Sequence, residues 1–156
     1  MEIKRTRCLI LACGNTLRGD DGVGPHLAAW AEERFRTEPA VRIISRQQWT
    51  PELAEEIAAA ESVLFMDCSI DAAPGAVSLR PVEPAGGELA PAAHHLGAPE
   101  LLALTRELYE TQPRAALLLT IGAGSLELGE EFSPLVNAAL PQARRLLEET
   151  VARLLA

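Results

Sequence analysis

The sequence predicts an α/β protein: three αβα layers, with a mainly parallel, twisted sheet of about five strands, one of them an antiparallel edge strand, and helices on both faces. Three observations predict it. The apolar runs Cys8–Cys13, Ser62–Met66 and Ala115–Ile121 are short, continuous and bounded by charge, Gly or Pro, as strands buried on both faces are. Segments of good helix formers fall between them. Where the first run meets the first helical segment, a glycine-rich turn carries two adjacent carboxylates, Asp20 and Asp21.

Taken in order, Cys8–Cys13 is the first central strand, and Leu27–Phe35, rich in Ala, Glu and Arg, is helical. Pro25 is tolerated only in the first helical turn, so this helix starts at about Gly22 or later. Asp20 and Asp21 then stay in the turn, with both carboxylates expected to point outward. Asn15, after Gly14, is expected to be a left-handed turn residue whose side chain bonds the backbone. Val41–Ile44 is a weaker strand. Thr50-Pro51-Glu52-Leu53 reads as an N-cap, a proline at the first helical position and an acid in the opening turn.

Ser62–Met66 follows as a central strand ended by Asp67. Val77–Arg80 alternates and meets Pro81, as an edge strand does. Residues 81–93 form a long loop rich in Pro, Gly and Ala. Gly97-Ala98-Pro99-Glu100 opens a helix to about Tyr109, and Ala115–Ile121 is the last strand. Ser133-Pro134 caps a final helix that ends near Leu155, with a kink or break expected at Pro141.

At 156 residues the chain is expected to be one domain, 1–156, with a proper core. A net charge of −8 leaves no basic face for a nucleic acid. No run approaches the roughly 20 apolar residues of a membrane span. The apolar run behind Met1–Arg5 is too short for a signal peptide. Three cysteines, Cys8, Cys13 and Cys68, form no disulfide framework and read as reduced thiols. A cytoplasmic protein is expected, without nucleic-acid or membrane partner.

The turn Gly14–Gly24 faces the ligand crevice at the carboxyl ends of the strands. Two acids there repel phosphate and attract a metal ion or an amine. The turn lacks a dinucleotide G-x-G-x-x-G and a Gly-Lys-Ser/Thr phosphate loop, so no nucleotide is expected. G-x-S-x-G and H-E-x-x-H are absent as well. Asp21, Asp67 and the pair His94 and His95 lie near strand or loop ends in separate parts of the chain. Carboxylate plus imidazole suits a borderline divalent ion such as Ni, Zn or Mn. Each also has a plainer reading: Asp20 and Asp21 as turn or capping acids, Asp67 as a loop cap, the histidines as solvated surface, Cys13 and Cys68 as inert small apolar groups. Trp30 and Trp49 read as core and loop anchors.

The turn Gly14-Asn15-Thr16-Leu17-Arg18-Gly19-Asp20-Asp21-Gly22-Val23-Gly24 resembles the G-N-x-L-x-x-D-[DE]-G-x-G turn of the [NiFe]-hydrogenase maturation proteases. Leu64-Phe65-Met66-Asp67 matches that family's later strand and aspartate, and His94-His95-Leu96-Gly97 its H-x-L-G context. Ser125–Gly129 and Leu135–Pro141 resemble its final loop and helix. The likeness spans nearly the whole chain. Cys13 departs from the usual small or aliphatic residue, and Gln47–Leu53 from a glycine- and threonine-rich version.

The resemblance implies an endopeptidase, usually classed as aspartic-type, that trims the C-terminal tail of a hydrogenase large-subunit precursor after nickel insertion. Asp21, Asp67 and His94 would bind nickel borne by the substrate, with Asp21 and Asp67 catalytic and no resident cofactor. Asn15, Asp20 and His95 would stand near the substrate or behind the ligands. The partner would be the precursor, and the protein a monomer. The alternatives are a chaperone that holds the metallated precursor without cutting it, and a zinc-dependent small-peptide hydrolase on the same fold.

Overall fold

A computed structural model describes residues 6–86 and 96–156. The strands are β1 (Thr6–Cys13), β2 (Val41–Arg46), β3 (Ala60–Ser69), β4 (Val77–Pro81) and β5 (Ala115–Gly122). They form one sheet in the order β2-β1-β3-β5-β4. All neighbours are parallel except β4, which pairs antiparallel with β5 at the edge. The expected architecture is present. Asp67 does not end its strand, however: β3 runs on to Ser69, because residues 67–69 still pair with Thr120–Gly122 of β5.

The helices are α1 (Val23–Arg34), α2 (Leu53–Ala58), α3 (Ala98–Tyr109) and α4 (Pro134–Leu155). Successive strand residues send side chains to opposite faces, and two cores result. Cys8, Ile10, Ala12, Leu64, Met66, Leu119 and Ile121 pack under α1 and α4. Leu9, Leu11, Val63 and Phe65 pack under α2 and α3. Trp49 belongs to the second core, edge-on to Phe65 at 5.3 Å between ring centroids. Trp30 packs at the margin of the first. Both tryptophans take the anchoring role expected of them. No helix among the described residues is long and apolar enough to cross a membrane.

Two helices differ from expectation. The α2 helix proper begins at Leu53, because Leu53 and Ala54 N–H donate to the carbonyls of Thr50 and Pro51, a tighter i→i+3 entry. α4 continues through Pro141 without a break. Proline removes one backbone bond there, but Val136, Leu140, Ala143, Leu147, Val151 and Leu154 form one buried stripe that holds both halves to the sheet.

The acidic turn is a short 3₁₀ segment, Gly19–Gly22, directly before α1. Asp20 does not point outward. It is 0% exposed, and its carboxylate accepts hydrogen bonds from Gly124 N–H (2.7 Å), Ser125 N–H (2.9 Å), Ser133 N–H (2.8 Å) and the Ser133 hydroxyl (2.7 Å). Backbone bonds join the same partners: Asp20 N–H to Ser125 O, Gly19 N–H to Gly129 O, and Gly129 N–H to Leu17 O. The capping reading of Asp20 therefore holds, with the loop between β5 and α4 as what it caps. The carboxylate also meets the N-terminus of α4, where negative charge is favoured.

Burial pushes the Asp20 carboxyl up, but the bonds from Ser133, Ser125 and Gly124 outweigh it and hold it below its ordinary 3.8. A carboxyl lowered in the folded state stabilises fully above its unfolded value and loses that contribution as pH falls through the folded one. Asp20→Ala leaves four buried donors unpaired and should cost about 3 kcal/mol or more, read as a lower urea midpoint. The gap between wild type and Asp20→Asn should shrink as pH falls from about 5 through 3.8 and below. Phe65→Ala, which empties the centre of the second core, should cost about 3–5 kcal/mol in the same assay.

Candidate active site

β1 and β3 are neighbours, and the chain leaves their carboxyl ends in different directions, which opens a crevice between them. Asp21 stands in the turn after β1 and Asp67 near the end of β3. Two glycines make the approach possible. A Cβ on Gly24 would lie 2.5 Å from Cys13 O and 3.2 Å from Met66 O, so only glycine lets α1 start against both strand ends. Gly14 has φ +150°, and a Cβ there would fall 1.9 Å from Asp21 O. The spacing of the motif is thus a set of backbone contacts that bring Asp21 back over β1.

Asp21 is half-buried, and its Oδ2 accepts the Asn15 N–H at 2.7 Å. Asn15 Oδ1 in turn accepts the Leu17 N–H at 2.9 Å, a side-chain turn of the expected kind. Asn15 is not left-handed, however; the positive φ angles of the turn fall on Gly14 and Gly19, which carry no Cβ penalty. Asn15 is therefore a neighbour that orients Asp21.

Asp67 is also half-buried, and its Oδ1 accepts the Cys68 N–H at 2.7 Å. The carboxylates of Asp21 and Asp67 act on the same two thiols. Burial, then the charge and hydrogen bond of Asp67 and the charge of Asp21, push Cys13 far above the ordinary thiol value. Burial, then Asp21 and Asp67, push Cys68 up to about 12. Both thiols stay protonated at neutral pH and are poor nucleophiles and metal ligands. Among the described residues no three His, Cys, Asp or Glu side chains gather as a metal cage.

His94 and His95 lie outside the described residues. The chain resumes at Leu96, which packs against the core under α2 and α3. Sequence reasoning missed a groove of about 300 Å³ beside the acidic turn, lined by Asn15, Thr16, Leu17, Ser45, Arg46 and Gln47 among others. It also missed Thr120, a buried polar residue beside Asp67 in the sheet. A polar residue at the end of an apolar strand, as Arg46 and Thr120 both are, was the available signal.

No protein-family model and no curated protein sequence matches the chain. Solved structures do. The chain is similar to the hydrogenase maturating endopeptidase HybD from E. coli, at 23% identity and TM-score 0.75 over 94% of this chain and 93% of that one, a likeness of fold. It is similar to the [NiFe] hydrogenase maturation protease HybD from Thermococcus kodakarensis, at 26% identity and TM-score 0.67 over 92% and 98%. A [NiFe] hydrogenase maturation protease HycI from Thermococcus kodakarensis KOD1 is 28% identical, with TM-score 0.65 over 97% and 93%. The resemblance to the [NiFe]-hydrogenase maturation proteases carried by the Gly14–Gly24 turn thus extends to the fold of nearly the entire chain.

Proposed function

We propose that this chain is a hydrogenase maturation endopeptidase that removes the C-terminal extension of a [NiFe]-hydrogenase large-subunit precursor once nickel is in place. The observation that carries the reading is the placement of Asp21 and Asp67, from segments far apart in sequence, at the carboxyl ends of the neighbouring strands β1 and β3, with Gly24 seated against both strand ends. That the solved structures of the same fold are named as maturation proteases supports it.

Asp21, Asp67 and His94 form an incomplete ligand set for nickel carried by the substrate, whose own thiolates would fill the other positions. Cleavage would then wait for metal insertion, because an empty precursor offers these residues nothing to bind. The substrate's nickel would either polarise the scissile carbonyl or an attacking water as a Lewis acid, or only position the peptide. The carboxylate of Asp21 or Asp67, once in reach, takes the water's proton as general base. Asn15 holds Asp21 through its amide, and the buried Asp20 latch holds the whole turn.

Asp21→Asn, Asp67→Asn and His94→Ala should each slow tail removal from a nickel-loaded precursor by on the order of a hundredfold or more, seen as retained precursor on a gel. The nickel-free precursor should stay uncut by wild type. Full processing by all three variants would remove the assignment. A wild-type protein that binds the precursor and leaves its tail in place would be a chaperone.

A further inference from the structure

Two exposed leucines stand side by side on the loops that frame the acidic turn. Leu17 is 56% exposed and Leu128 87%. The Gly129 N–H donates to Leu17 O and the Gly19 N–H to Gly129 O, each at 2.8 Å, which makes a parallel bridge between Arg18 and Gly129. Leu17 and Leu128 each precede a bridge partner, so the pairing sets them alongside one another. Asn15 Oδ1 also accepts the Leu17 N–H at 2.9 Å. Leu17 is thus presented on a backbone already ordered, which lowers the entropy cost of covering it. Among the described residues, the other large apolar side chains left exposed are Ile70, Leu135, Leu108 and Tyr109. Ile70 follows the end of β3 and Leu135 lies in the first turn of α4, so both share the carboxyl end of the sheet with the leucine pair. Glu127, Glu130 and Glu131 are exposed around Leu128 and form no ion pair among the described residues.

Resting on the functional reading above, we propose that Leu17, Leu128, Ile70 and Leu135 form a docking surface for the folded body of the large-subunit precursor, whose matching face is apolar with a basic rim. Position selects this occupant first. The leucine pair sits on the turn that carries Asp21, so a partner that brings a metal-bearing segment to Asp21 and Asp67 covers it in the same encounter. Charge selects it next. Three carboxylates without ion-pair partners beside Leu128 call for cationic side chains on whatever covers it. A second copy of this chain would bring the same three carboxylates and the same net charge of −8, which repel. An apolar centre with a charged border is also the ordinary anatomy of a protein interface. The surface then holds the precursor whether or not nickel is present, and the metal ligands decide only whether the tail is cut.

The test measures binding of a [NiFe]-hydrogenase large-subunit precursor, purified without nickel, by titration calorimetry. Removing nickel takes away what Asp21, Asp67 and His94 would grip, so the affinity that remains reports this surface. The double variant Leu17→Ala with Leu128→Ala should bind about tenfold more weakly or worse, at an unchanged urea midpoint. Leu108→Ala, an exposed leucine of α3, should bind as wild type does. Glu127→Lys with Glu130→Lys should weaken binding too, and added salt should weaken wild type more than this variant. On nickel-loaded precursor the leucine variant should raise KM and leave kcat within about twofold. Wild-type affinity in the leucine or the charge-reversed variant, an equal loss in Leu108→Ala, or a wild type that binds no precursor would overturn the proposal. A wild-type dimer in sedimentation that the leucine variant disperses would overturn it as well, by giving the surface to a second copy. Precursor that is bound by wild type but left uncut when nickel-loaded refutes the endopeptidase reading alone, and the leucine comparison still decides the docking surface.

Discussion

The carboxylate of Asp20 is the contact on which the rest of the site depends. It is sealed from solvent and collects two loop amides, the Ser133 amide and the Ser133 hydroxyl. These bonds tie the turn after β1 to the loop after β5, two segments that the sheet order separates by β3. With one acid of the pair consumed in this way, the other cannot rotate freely. Asp21 is left at the surface of the crevice, its orientation set by the Asn15 amide. Adjacent acids in sequence thus have opposite physical fates, one sealed inside the fold and one half-buried at its surface.

The sheet supplies the second constraint. Its parallel centre stacks β1, β3 and β5 with carboxyl ends together, and the two cores beneath α1–α4 and α2–α3 fill both faces. Where β3 overruns β1, side chains that would continue the apolar rows become polar: Asp67 and Thr120 on one face, with Cys13 beside them. The crevice is therefore the place where the core ends. Burial first, and then the carboxylates of Asp67 and Asp21, raise the Cys13 and Cys68 thiols there. The crevice is also bordered by a groove past Asn15 toward Arg46 and Gln47.

How far the molecule could be read beforehand follows from the range of the forces involved. Strands β1, β3 and β5 were legible because burial on both faces leaves an unbroken apolar run, and β4 because Pro81 marks an edge. Pro25 placed the start of α1 through the hydrogen bond it cannot make. Pro141 misled for the same reason: the local rule sees a lost bond, while the buried stripe of α4 is a sum over contacts with the distant sheet. The extension of β3 to Ser69 depends on pairing with β5, which lies some fifty residues on and leaves no mark near Asp67.

Order along the chain, periodicity and turn chemistry were enough to establish the α/β class, the parallel centre, the edge strand, and Asp21 and Asp67 as candidates at strand ends. Each of these is governed by residues close in sequence. Which of the two adjacent acids is buried, which face Asp67 shares with Cys13 and Thr120, and where the groove lies were decided only by the folded chain. Asp20 needs the Ser133 hydroxyl and the loop amides, and the polar row needs three strands in register; these partners meet only when hydrophobic burial closes the sheet and its helices around them.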